Sequence, residues 1–274
     1  MVEICSETFG RRGDPAVLLI MGAMASMLWW PDEFCRRLAA AGRFVIRYDN
    51  RDTGRSPGYE PGTATYTGDD LAADAVGVLD EHGVERAHVV GMSMGGGIAQ
   101  VVALAYPDRV ASVTAISASP IGEQHGDLPG PRPEYMEHAA AFEDLDWSDT
   151  QAVASLIVED ARQLAGTRHP FDEATARELV TRDLERAIDP ARLANHGSVG
   201  DGEPKARRLD EVAAPFLVIH GTADPLFPYP HGVALAEAVP GSTLVTIDGG
   251  GHELHERDWD QILDAITRHT EAPA

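Results

Sequence analysis

The sequence predicts an α/β fold in which a mostly parallel sheet is covered by helices on both faces and interrupted by one inserted helical block. Three observations carry this. Apolar runs of strand length alternate with amphipathic stretches along most of the 274 residues. The runs are continuously apolar, as strands buried on both faces must be, and not alternating. The alternation stops once, between about residues 121 and 208, where only helical patterns occur.

Taken in order, Ala16-Val17-Leu18-Leu19-Ile20-Met21 reads as the first buried strand and Phe44-Val45-Ile46-Arg47-Tyr48 as the next. Ala87-His88-Val89-Val90-Gly91 is a third, and Val110 to Ile116 a fourth. Pro215 to His220 and Thr243 to Ile247 follow late in the chain. Helical spacing of apolar residues fills 31–41, 68–82, 95–106, 231–239 and 257–270 between them. The interrupting block opens on Leu128-Pro129-Gly130-Pro131-Arg132-Pro133. It continues with helical patterns near 133–144, 148–165, 172–187 and 190–196, with Ser148 and Asp172 as candidate N-caps. The chain therefore divides into a core of 1–120 and 209–274 and a helical cap of 121–208, which parallel-sheet topology sets over the strands' C-terminal ends.

Composition excludes several functions. The formal net charge is −22 and the pI about 4.7. Such a surface repels nucleic-acid backbones and anionic headgroups, so neither nucleic acid nor membrane is an expected partner. No basic segment followed by an apolar stretch opens the chain, and no apolar run approaches the roughly 20 residues of a membrane span. A cytoplasmic protein is the expectation. Cys5 and Cys35 have no metal-ligand spacing and read as free thiols.

The most informative stretch is Gly91-Met92-Ser93-Met94-Gly95, set between an apolar strand and a helical pattern. A G-x-S-x-G sequence in that setting is a nucleophile elbow, a turn sharp enough to hold a serine hydroxyl above the sheet edge. Glycine-rich turns before helices also bind phosphates, but this one has neither the lysine of a P-loop nor the spacing of a dinucleotide fingerprint.

A serine nucleophile needs a base, and the base an orienting acid. Asp224 follows the strand ending near Ile219, in the loop where open α/β sheets carry functional groups. His252 follows Asp248-Gly249-Gly250-Gly251 after the last strand, about one helix and one strand beyond Asp224. Neighbouring residues compete for these roles. His255 lies just beyond His252, Asp248 is too close to it in sequence to reach the far side of its ring, and Asp210 precedes its strand. After the strand ending at Ile116 no acid occurs before Glu123. His220 lies within its strand and reads as structural.

An oxyanion hole needs two backbone donors. The N–H of Met94 is one, and Ala23, in the turn Met21-Gly22-Ala23-Met24-Ala25, is the candidate for the other. Asp49 and Arg51 read as a pair holding the adjacent loop. Trp29, Trp30 and Phe227 neighbour the site loops and are the candidate substrate contacts. This chemistry requires neither cofactor nor metal.

These residues make the chain resemble the α/β-hydrolase superfamily over nearly its full length. Within it, Trp30-Pro31-Asp32-Glu33-Phe34, Val45 to Ser56 and Ala87 to Gly95 resemble the actinobacterial esterases that include aclacinomycin methylesterase. The resemblance implies a serine carboxylic-ester hydrolase, with a small-molecule, polyketide-like methyl ester as one possible substrate. Ser93 argues against epoxide hydrolases and haloalkane dehalogenases, which place a carboxylate at this elbow. A proline-specific aminopeptidase of this fold would need cap acids such as Glu159, Asp160, Glu173 or Glu178 to hold an amine. A C–C bond hydrolase or perhydrolase would share the triad, and a ligand-binding receptor would use the pocket without turnover.

Overall fold

The computed structural model describes residues 2–122, 127–200 and 207–271. Glu123, one of the acids weighed above, lies outside them. Seven strands form one sheet in the order β1-β3-β2-β4-β5-β6-β7. They are β1 (Ser6–Phe9), β2 (Ala16–Ile20), β3 (Phe44–Tyr48), β4 (Ala87–Met92), β5 (Val110–Ile116), β6 (Phe216–Gly221) and β7 (Thr243–Ile247). Only β1 runs antiparallel, against β3. It escaped the sequence reading because Ser6-Glu7-Thr8-Phe9 is a half-exposed edge strand with no continuous apolar run.

Strands β2 to β6 are buried along their whole length, as continuous apolar runs require. Alternate residues serve opposite faces. Leu18, Ile20, Ile46, Val89 and Val218 pack beneath α2 (Gly68–Glu81), α3 (Met94–Ala105) and α7 (Pro230–Ala238). Val17, Leu19, Val45, Val90 and Ile219 pack against Phe34 and Leu38 of α1 (Asp32–Ala40) and Ile262 and Ile266 of α8 (Trp259–His269).

Between β5 and β6 lie α4 (Pro133–Ala139), α5 (Thr150–Leu164), α6 (Glu173–Arg186) and a 3-10 segment, Pro190–Ser198. Val153, Val158, Val180, Leu184 and Leu193 form a separate apolar cluster within this insertion. Asp172 caps α6 as expected, accepting the Thr175 N–H at 3.1 Å. The cap of α5 is Asp149 and not Ser148. Its carboxylate accepts the N–H groups of Gln151 and Ala152, while Ser148 turns back to Asp146.

The buried histidines set an acid limit on stability. Burial pulls the His88 pKa down to about 4 and lowers those of His196 and His220 from their ordinary value. In the unfolded chain these rings protonate near about 6.5. Their contribution is therefore complete above that pH and lost as pH falls through the depressed folded values. Buried Asp160, Asp183 and Glu253 have raised pKa values and act in the opposite direction. His88 alone corresponds to about 3 kcal/mol. Thermal melts should show Tm falling between about pH 6.5 and 4. A flat profile across that window would contradict neutral burial of these rings.

Candidate active site

The elbow forms because glycine is required on both sides of it. A β-carbon on Gly91 would collide with the Gly95 carbonyl, and one on Gly95 with the carbonyl of Ile20. Strand β4 and helix α3 can cross this closely only without side chains there. Between them Ser93 sits at φ +54°, ψ −121°, a strained position for a residue with a side chain. Its N–H is held by the Ile116 carbonyl at 2.9 Å, and its own carbonyl accepts the Gly96 N–H at 2.8 Å. Ser93 is partly exposed at the C-terminal edge of the sheet, with Met94 opening α3 behind it.

Asp224 and His252 are brought together. His252 Nδ1 lies 2.8 Å from Asp224 Oδ2, and both side chains are buried. The other carboxylate oxygen, Oδ1, accepts the N–H groups of Leu226 and Phe227 at 2.9 and 2.8 Å. The carboxylate is thus fixed from one side by backbone and presents its second oxygen to the imidazole, which fixes Nδ1 as the protonated nitrogen. The Phe227 ring stands edge-on to the His252 ring, with centroids 5.6 Å apart. Among the described residues no hydrogen bond joins Ser93 to His252. In free enzymes such contacts are often long and close only with substrate bound.

His220 is fully buried, with Nε2 2.8 Å from the Phe227 carbonyl, and supports the Asp224 loop. His255, the competing histidine, is engaged elsewhere. It caps the turn before α8 and stacks on His169 at 4.4 Å, while His169 Nε2 lies 3.0 Å from Asp258. His169, His255 and Asp258 come close enough to suggest metal ligation, but Arg168 also lies 3.4 Å from Asp258. The stacked rings and the guanidinium make this group a tie between the insertion and α8.

The proposed oxyanion turn is braced from outside the core. Gly22 abuts Ser93: a β-carbon there would stand 3.7 Å from the Ser93 hydroxyl oxygen. Ala23 follows it and is exposed. The next N–H, of Met24, is taken by His196 Nδ1 at 2.8 Å. The Met27 N–H reaches Asp49 at 2.9 Å, and Asp183 of α6 accepts from Trp29 Nε1 at 2.7 Å and from the Ser26 N–H at 3.4 Å. Burial raises the pKa of Asp183, against the pull of these donors.

Two expectations are corrected here. Asp49 pairs with Arg186 of α6, and Arg51 with Asp74 of α2. The chain leaves its extended path in the turn that begins at Arg51, with Asp52 at φ +65°, and each side chain finds a partner from another element. Trp30 is fully buried against Phe34 in the core and offers no surface to a ligand. Trp29 is partly exposed and packs against the insertion's cluster.

The insertion also holds the His252 loop. The His252 N–H donates to the Leu164 carbonyl at the end of α5 (2.8 Å), and the Gly166 N–H to Glu253 (2.8 Å). The N–H groups of Thr167 and Arg168 both reach the Gly249 carbonyl. No sequence pattern signalled these backbone ties or the roles of Asp183 and His196. They depend on pairings across more than eighty residues, most of them made by backbone groups.

Comparison with known proteins bears on this geometry. The model of the α/β hydrolase fold family matches residues 15–258. The chain belongs to the α/β hydrolase family. Among α/β hydrolases it is 36% identical to rhodomycin D methylesterase DauP of Streptomyces sp. (strain C5), covering 99% of this chain and 96% of that protein. The figures for rhodomycin D methylesterase DnrP of Streptomyces peucetius are the same. The expected resemblance to actinobacterial methylesterases is thus borne out. Esterase RhEst1 from Rhodococcus sp. ECU1013 shares the fold, with a TM-score of 0.78 at 22% identity over 99% of this chain and 95% of that one. Among the described residues no helix is long and apolar enough to cross a membrane.

Proposed function

We propose that this α/β hydrolase cleaves carboxylic esters through Ser93, His252 and Asp224, with a methyl ester of a small, polyketide-like acid as its substrate class. The observation that carries the reading is the buried Asp224–His252 hydrogen bond at the same sheet edge as the strained Ser93 elbow. The methylesterase relatives support the bond type.

In this reading His252 Nε2 takes the Ser93 proton as the hydroxyl oxygen attacks the ester carbonyl. Asp224 holds the tautomer and stabilises the imidazolium. The N–H groups of Met94 and Ala23 receive the oxyanion. His252 then protonates the departing alkoxide, an acyl-serine remains, and water activated by the same histidine releases the acid. The insertion acts as a cap above this edge, with Phe227 and Trp29 as the nearest candidate substrate contacts.

The test is a panel of methyl esters of graded acyl size, read by acid release, with fluorophosphonate labelling of the intact protein. Hydrolysis and a label on Ser93 are expected. A label on another residue, or no hydrolysis of any member, would reject the reading.

A further inference from the structure

Two helices of the insertion are bonded at one end to the loops that carry Asp224 and His252. The Arg132 N–H at the start of α4 is bonded to the Pro225 carbonyl at 2.8 Å, next to Asp224. Tyr135 and His138 lie within the first two turns beyond it. Helix α5 ends with the Leu164 carbonyl on the His252 N–H. Asp160 is one turn earlier, on the same face of that helix. The two anchored ends therefore bring Tyr135, His138 and Asp160 together near the Asp224–His252 pair.

Their chemistry is unusual for a cap interior. His138 Nε2 and Asp160 Oδ1 face each other at 3.3 Å, both shielded from solvent, yet without the alignment of a hydrogen bond. Burial raises the pKa of Asp160, while His138, Tyr135 and the charge of His252 pull it down. A carboxylate has about four lone-pair positions, so Tyr135 and His138 leave acceptor capacity unused. Aromatic rings continue along the same path, His138 to Phe142 at 6.0 Å and Phe142 to Trp147 at 6.5 Å. A desolvated carboxylate beside aromatic faces is suited to a cation. By contrast Glu173 and Glu159 both pair with Arg162 on the exposed surface.

We propose that Asp160, with Tyr135 and His138, is a recognition site for an ammonium group on the acyl portion of the substrate. The inference rests on the ester-hydrolase reading and narrows its substrate class to esters of basic acids. The carboxylate acts by binding and takes no part in proton transfer to the ester.

The test compares two esters of the same shape, methyl 4-(dimethylamino)butanoate and methyl 5-methylhexanoate, which differ in one protonated nitrogen. The expected result is a kcat/KM ratio of at least about tenfold in favour of the amine, residing in KM. In Asp160→Asn the ratio should collapse towards one. Equal kcat/KM for the two esters in the unmodified protein would overturn the proposal, and so would a preference that Asp160→Asn leaves intact. The unmodified ratio alone decides the matter where the variant does not fold. Calorimetric titration of Ser93→Ala protein with both esters reads recognition apart from turnover. If neither ester is hydrolysed but the amine binds preferentially, the esterase reading fails and the recognition site stands. Equal binding or none would overturn the site.

Discussion

Replacing Ser93 with alanine is expected to lower kcat on any hydrolysed methyl ester by about a millionfold, the loss typical of removing a nucleophile from a triad. The fold should survive. Alanine adopts the same strained backbone, and the Ser93 N–H to Ile116 bond does not involve the side chain. Stability should change by less than about 0.5 kcal/mol. Ser93→Gly gives the internal contrast. It loses activity equally but relieves the φ of +54°, so it should be more stable by about 1 kcal/mol. Ester-release assays and denaturant titrations on the two variants separate the roles. Turnover comparable to the unmodified protein in either one would place the nucleophile elsewhere.

Asp224→Asn is expected to cost about 10⁴ in kcat while leaving the imidazole in place. The reason lies in how the carboxylate is held. The N–H groups of Leu226 and Phe227 demand an acceptor at Oδ1. An asparagine must therefore turn its carbonyl oxygen to them and its NH₂ towards His252 Nδ1. That forces Nδ1 to accept and moves the ring proton to Nε2, where it cannot take a proton from Ser93. Proton NMR of the ring N–H, with kcat on a methyl ester, reads both parts. A loss of less than about tenfold would show that the acid acts elsewhere.

Much of this was legible in sequence because it depends on local chemistry. The elbow reads from Gly91, Ser93 and Gly95, since the close strand–helix crossing permits almost no alternative. Asp224 and His252 read from their positions just after apolar strands. Strand β1 was missed because half-buried edges carry a weak pattern. Trp30 was misassigned because sequence places a side chain near a loop but not on one side of it. The partners of Asp49 and Arg51 were misjudged for the same reason, as Arg186 lies 137 positions from Asp49. In sequence, Asp160 stood among four cap acids, with Glu159, Glu173 and Glu178, that could hold an amine. Only the anchoring of α4 and α5 distinguishes it from the others.

The backbone bonds from Leu164 and Gly166 to the His252 loop bear on protein engineering. Grafting the helices of one homologue onto another would be a direct way to change the pocket of this scaffold. Here a graft cut at the ends of the helical block would exchange the struts under the His252 loop as well. A chimaera that retains native residues 164–169 with their recipient loop keeps that support. One that does not would acquire a new pocket above a misaligned imidazole.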